Sequence, residues 1–197
     1  MKHSVIFRPF RAVYFSFCFR RPKASSYDSL KESDAIVAVP FGTHKKGETI
    51  GKSNNMMVNI MGNLHDSFPK QKLIVEWEME YAKRKLDFDC IIGEKWSNHI
   101  NTRVFFECIR KKYPILKNIT VIAHPDHLLR VVKTARTLDF EPAIPHGLSL
   151  IPYDKTSTAH PWTQYRWKIR GLNPKKWGLM WWELLIARPF FVFKGWM

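Results

Sequence analysis

Cysteine is scarce in this chain and poorly placed for chemistry that needs it in groups. Cys18, Cys90 and Cys108 are the three cysteines of 197 residues. No two form a C-x-x-C pair or share zinc-ligand spacing with histidines, which argues against a disulfide framework and a structural metal. A reducing, cytoplasmic compartment fits that usage. Long apolar runs are missing too. The apolar run 12–19 falls far short of the roughly 20 residues that a spanning helix needs. Arg8, Arg11, Arg20 and Arg21 bracket it, and no small-residue cleavage signature follows, which argues against a secretory signal.

The glycine signatures of nucleotide enzymes are absent or incomplete. No G-x-G-x-x-G follows the first apolar run, so a standard dinucleotide site is not supported. The nearest approach to a phosphate-binding loop is Gly47-Glu48-Thr49-Ile50-Gly51-Lys52-Ser53. That loop needs four residues between its glycines so that successive backbone N–H groups wrap the phosphates. Here three residues intervene and Lys46 stands where the first glycine belongs. The segment reads as a flexible basic loop.

Acid is scarce only in places. The chain carries 32 Lys and Arg against 17 Asp and Glu, a formal charge of +15. Residues 1–27 hold six basic residues and no acid, and residues 160–197 hold seven against the single acid Glu183. The middle, 28–159, is nearly balanced, with nineteen basic residues against sixteen acids. The basicity therefore belongs to the flanks and speaks for contact with an acidic surface, a membrane or RNA, more than for a nucleic-acid groove in the fold. The N-terminal flank is Arg-rich and aromatic, which suits an interfacial anchor or an element covering the core. Six of the eight tryptophans lie between Trp162 and Trp196.

In the middle, apolar runs alternate with amphipathic ones. Strands are predicted over 33–40, 72–77, 89–93, 118–123 and 139–145. Helices are predicted over 53–65, capped by Ser53, over 79–86, 101–113 and 127–138. The 101–113 helix should turn Val104, Phe105, Cys108 and Ile109 inward, and the 127–138 helix Leu128, Val131, Val132, Ala135 and Leu138. This alternation is the signature of βαβ units and a parallel sheet. The expected fold is α/β, Rossmann-like and doubly wound, with about five strands. It occupies 28–150, after a basic aromatic flank (1–27) and before a loop and an aromatic helix (151–197) packing on it. That last helix starts at Asn173-Pro174, with Pro in its first turn, and ends before Pro189.

Open α/β sheets bind ligands outside the carboxyl ends of their strands, and the polar clusters fall there. Gly42, after the first strand, allows one close backbone approach to a ligand. The segment from Glu94 through Ser97 to Asn101-Thr102 follows the third strand. There a helix amino terminus suits an anion, although Asn101 and Thr102 also serve simply as caps. His124-Pro125-Asp126-His127 and Arg130 follow the fourth strand. His127 and Arg130, three apart, share one helix face. The histidine suits proton transfer and the arginine a carboxylate or phosphate. His124 and His127 make no metal site unless Glu94 or Glu76 supplies a third ligand.

These residues, in this order, resemble the YdcF/SanA/ElyC-like family, a bacterial Rossmann-like domain of unknown function. The likeness covers about 33–145. It rests on the opening strand Asp34-Ala35-Ile36-Val37-Ala38-Val39, on Glu94, Ser97 and Asn101-Thr102, and on His127 with Arg130 three residues on. The stretch from Trp182-Glu183 to Gly195-Trp196 is similar to the family's last helix. The chain departs from the family at Pro40-Phe41-Gly42, where a glycine-rich turn is usual. It departs again at Glu76-Trp77-Glu78, in place of Ser-Gly-Gly, and at Val104-Phe105, in place of Glu-Asn. The resemblance implies a small anionic ligand, nucleotide-like or S-adenosylmethionine-like, in a pocket of Gly42, Glu76, Glu94, Ser97, Asn101, Thr102, His127 and Arg130. In an enzyme His127 would be the acid/base, Glu94 its acidic partner and Arg130 the anion clamp. The alternative is a non-enzymatic interaction protein working through its basic aromatic flanks.

Overall fold

The computed structural model describes residues 22–42, 50–93, 100–152 and 154, all within one compact unit, 22–159. The expected C-terminal helix, residues 1–21 of the N-terminal flank, Glu94 and Ser97 lie outside the described residues. The element order is α1 (Tyr27–Lys31), β1 (Ala35–Val39), α2 (Lys52–Ser67), β2 (Lys72–Glu76), a 3-10 turn (Trp77–Tyr81) and β3 (Cys90–Ile92). Then come α3 (Thr102–Lys112), β4 (Asn118–Ala123), α4 (Pro125–Thr137), β5 (Glu141–Ala143) and a second 3-10 turn (Leu148–Leu150). Among the described residues no helix is long and apolar enough to cross a membrane.

The five strands form one sheet in the order β3-β2-β1-β4-β5, and every pairing is parallel. This is the α/β, Rossmann-like architecture that the alternating pattern implies. Parallel strands covered by helices on both faces are apolar throughout, without alternation. β1 follows that rule, with all five of its residues buried, and β4 buries every residue after Asn118. Right-handed crossovers place α2 on one face of the sheet and α3 and α4 on the other. α3 accordingly packs on α4, and α2 packs on β1 and β4.

Three local expectations need correction. The predicted 79–86 helix is instead the 3-10 turn Trp77–Tyr81, followed by irregular chain. Tertiary ties hold that chain out of a helix. Lys83 N–H donates to Asn55 Oδ1 at 2.9 Å, and Arg84 bonds Asn63 Oδ1 and Asp66 Oδ2, each at 2.7 Å. α3 buries Phe105, Phe106 and Ile109, whereas Val104 and Cys108 are exposed. Phe105 and Ile109 are inward either way, and burying Phe106 removes more apolar area from water than burying Val104 would, which rotates the helix toward it. Ser53 does not cap α2. The cap position is Gly51, which makes no side-chain cap bond, and the Ser53 hydroxyl donates to the Pro152 carbonyl at 2.6 Å.

Candidate functional site

In this strand order the chain reverses direction across the sheet between β1 and β4. β1 continues outward to β2 on one side and β4 to β5 on the other. Helices on opposite faces leave a crevice above such a reversal, and ligands of open α/β sheets bind there. The residues just beyond the two strand ends therefore define the site.

On the β1 side, Phe41 and Gly42 make the turn. Gly42 has φ 70, a left-handed conformation that glycine adopts without penalty. Asn54, on the first turn of α2 and wholly buried, fixes both residues. Its Oδ1 accepts the Phe41 N–H and its Nδ2 donates to the Gly42 carbonyl, each at 2.7 Å. Asn54→Ala would orphan both backbone groups. We expect it to lower stability by about 2 kcal/mol, measured by urea unfolding; a change under 0.5 kcal/mol would show that the turn holds itself.

On the β4 side, His124 lies between the strand and α4. Its ring stacks on Phe41, with centroids 4.0 Å apart and planes at 20°, so an aromatic pair floors the reversal point. α4 starts at Pro125, in the first helical position that tolerates a missing N–H. The His124 carbonyl accepts the N–H groups of His127 and Leu128 at 2.8 and 2.9 Å.

The amino ends of α3 and α4 then meet. Thr102 Oγ1 lies 3.1 Å from His127 Nε2. Arg130 Nη2 lies 3.1 Å from His127 Nδ1 and 3.2 Å from its Nε2. A guanidinium only donates, so the nitrogen it engages presents a lone pair. The tautomer with hydrogen on Nε2 satisfies both neighbours: Arg130 donates to Nδ1, and Nε2–H donates to Thr102. Asn101 acts as the helix cap, its Oδ1 accepting the Val104 N–H at 2.9 Å. Thr102, His127 and Arg130 are thus one hydrogen-bonded group, and Asn101 supports the helix that carries Thr102.

Glu76 ends β2, opposite Ile92 of β3, and Glu78 follows in the 3-10 turn; both are buried. Burial, followed by the charge of Glu78, pushes Glu76 up to about 9. Burial alone pushes Glu78 up to about 7. Glu76 Oε1 and Glu78 Oε2 find no hydrogen-bond partner among the described residues. At neutral pH Glu76 is a protonated acid, a donor that does not repel an anion.

Glu78, Asn54 and Asp154 were not singled out from the sequence. Asn54 left a signal: it falls on the same helical stripe as the buried Met57, Val58 and Met61, where a polar residue needs a partner. Glu78 sits two residues beyond Glu76, at the end of an apolar strand. Asp154 left none. Among the described residues no group of three or more His, Cys, Asp or Glu is placed to hold a metal ion. A cleft of about 630 Å³ opens at the opposite, amino end of the sheet, lined by Lys31, Asp34, Phe68, Lys72, Tyr113 and others. It lies away from Thr102, His127 and Arg130. We centre the site on the strand-reversal point, because the imidazole, the guanidinium and the helix starts converge there. Comparison with protein-family models, with curated proteins and with solved structures finds no match.

Proposed function

We propose that this domain binds a small anionic ligand, nucleotide-like or S-adenosylmethionine-like, at the carboxyl ends of β1 and β4. The reading joins the resemblance to the YdcF/SanA/ElyC-like family with the local geometry. The observation that carries it is the Thr102–His127–Arg130 group, at adjoining starts of α3 and α4 beside the strand-reversal point. Arg130 is the anion clamp. An arriving carboxylate or phosphate competes for its guanidinium and accepts a forked pair of bonds. His127 Nδ1 is thereby released, and the ring becomes available to take a proton from a bound group. Glu76, neutral at pH 7, offers a donor from the β2 side.

The test is thermal unfolding against nucleotides, S-adenosylmethionine, sugar phosphates and divalent metals. A ligand at 100 times its dissociation constant adds about 2.7 kcal/mol. The expected result is a rise in melting temperature with one anionic class, abolished by Arg130→Ala and weakened by His127→Ala. A shift that survives the double variant places binding elsewhere. No shift with any compound moves the function to the basic flanks, and salt-dependent binding to anionic vesicles or RNA would then be measured.

A further inference from the structure

The first helix after β1 is where this class of fold usually seats a ligand's phosphate, on free N–H groups at the positive end of the helix dipole. Here that helix is α2, and its head is Gly51-Lys52-Ser53, the part of the phosphate-loop pattern that the chain does possess. Its first turn contains no acid and its cap residue offers no side chain. The negative charge comes instead from Asp154, 102 residues away. The Lys52 N–H donates to Asp154 Oδ2 at 2.6 Å, and the Asp154 side chain is buried. The Ser53 hydroxyl holds the same segment through the Pro152 carbonyl.

Gly51 explains how the carboxylate comes so close. A Cβ at this position would collide with Asp154 Oδ2. Its backbone, φ -70 and ψ 168, is one that any residue adopts. Glycine is required here for the approach of the carboxylate and not for the turn. One glycine function of a nucleotide loop, close backbone approach to an anion, is therefore present, with the chain's own side chain as the anion.

We propose that Asp154 is a built-in anion that fills the phosphate position at the head of α2 and excludes diphosphate groups from it. The free ligand's charge is then confined to the Arg130 side, a consequence that rests on the proposed function above. Asp154 is a specificity-determining residue: it selects ligands with one anionic group near α4 over ligands with a pyrophosphate spanning β1 and α2.

Two linked experiments test this on the full chain. In the first, Gly51→Ala is made in the wild-type protein and in Asp154→Ala. The collision predicts a loss of several degrees in melting temperature in the wild-type background and almost none in the Asp154→Ala background. In the second, inorganic pyrophosphate is titrated at constant ionic strength. It should raise the melting temperature of Asp154→Ala saturably and leave the wild-type protein unchanged. An equal Gly51→Ala loss in both backgrounds overturns the proposal, because the glycine would then serve the turn. Pyrophosphate that stabilises both proteins equally, or neither, also overturns it. Both results are independent of the ligand screen, so the built-in anion can stand while the proposed ligand fails, and the reverse.

Discussion

Glu76→Gln is expected to make the protein more stable at pH 7.5 while leaving it unchanged near pH 4.5. Glu76 is held near 9 in the fold, against an ordinary glutamate value of 4.5. Between those limits the native state keeps a proton that the unfolded chain releases. Stability is therefore fullest below pH 4.5 and falls as pH rises toward 9. At 1.36 kcal/mol per unit, the carboxyl withholds on the order of 3 kcal/mol by pH 7. Glutamine stays neutral throughout and removes that dependence. Glu78, held near 7 by burial, adds a weaker decline in the same direction that both proteins retain. Urea unfolding of the two proteins at pH 5 and pH 7.5 measures the effect. A stability difference of the same size at both values would mean that Glu76 is ionised in the fold, and the neutral-donor role would fall with it. Proteins retain such costs mainly at sites of function.

The other large effect belongs to Arg110, at the far end of α3. Its Nη1 donates to the carbonyls of Pro114 and Leu116 at 3.1 and 2.7 Å, and its Nη2 to the Leu138 carbonyl at 2.7 Å. The guanidinium also lies 4.0 Å from the centre of the Phe140 ring. One side chain thus satisfies the turn before β4 and the end of α4, and covers a core aromatic. Arg110→Ala removes three charged-donor bonds and a cation–π contact, and we expect a loss of about 3 kcal/mol. Arg110→Lys should recover less than half, since an ammonium cannot reproduce the fork or lie flat on the ring. Equal stability of the lysine and arginine proteins would reduce the clamp to a simple positive charge near a helix end.

Legibility from sequence varied with how local the deciding interaction is. The limits of β4 are legible because Asn118–Ala123 is a β-branched, mostly apolar run between two prolines, Pro114 and Pro125. The fold class followed from such runs alone. The apolar periodicity starts α4 at His127, whereas the helix opens at Pro125, where proline is at home in a first turn. The 79–86 segment has helical composition, yet Asn55, Asn63 and Asp66 on α2 hold it in another shape. No local pattern records partners twenty residues away. In the site, the spacing of His127 and Arg130 was enough to put them together. The contact of Thr102 with His127 needed the packing of α3 on α4. Asp154 depends on a contact spanning half the chain, which periodicity and capping rules do not reach.

The central pairing of β1 with β4 also bears on the order in which the chain can fold. β1 is joined to β4 in register from Ala35 with Ile119 to Val39 with Ala123, so its inner partner is made more than eighty residues later. On a ribosome, β1, α2 and β2 emerge with one edge of Ala35–Val39 still unpaired, and that segment carries no charge, proline or glycine. Such an edge is a template for other chains. Synthesis stopped before residue 118 should therefore yield aggregates, while release after β5 should yield monomeric, cooperatively folded domain. The waiting time for β4, more than the final stability, would then set how well the protein survives its own production.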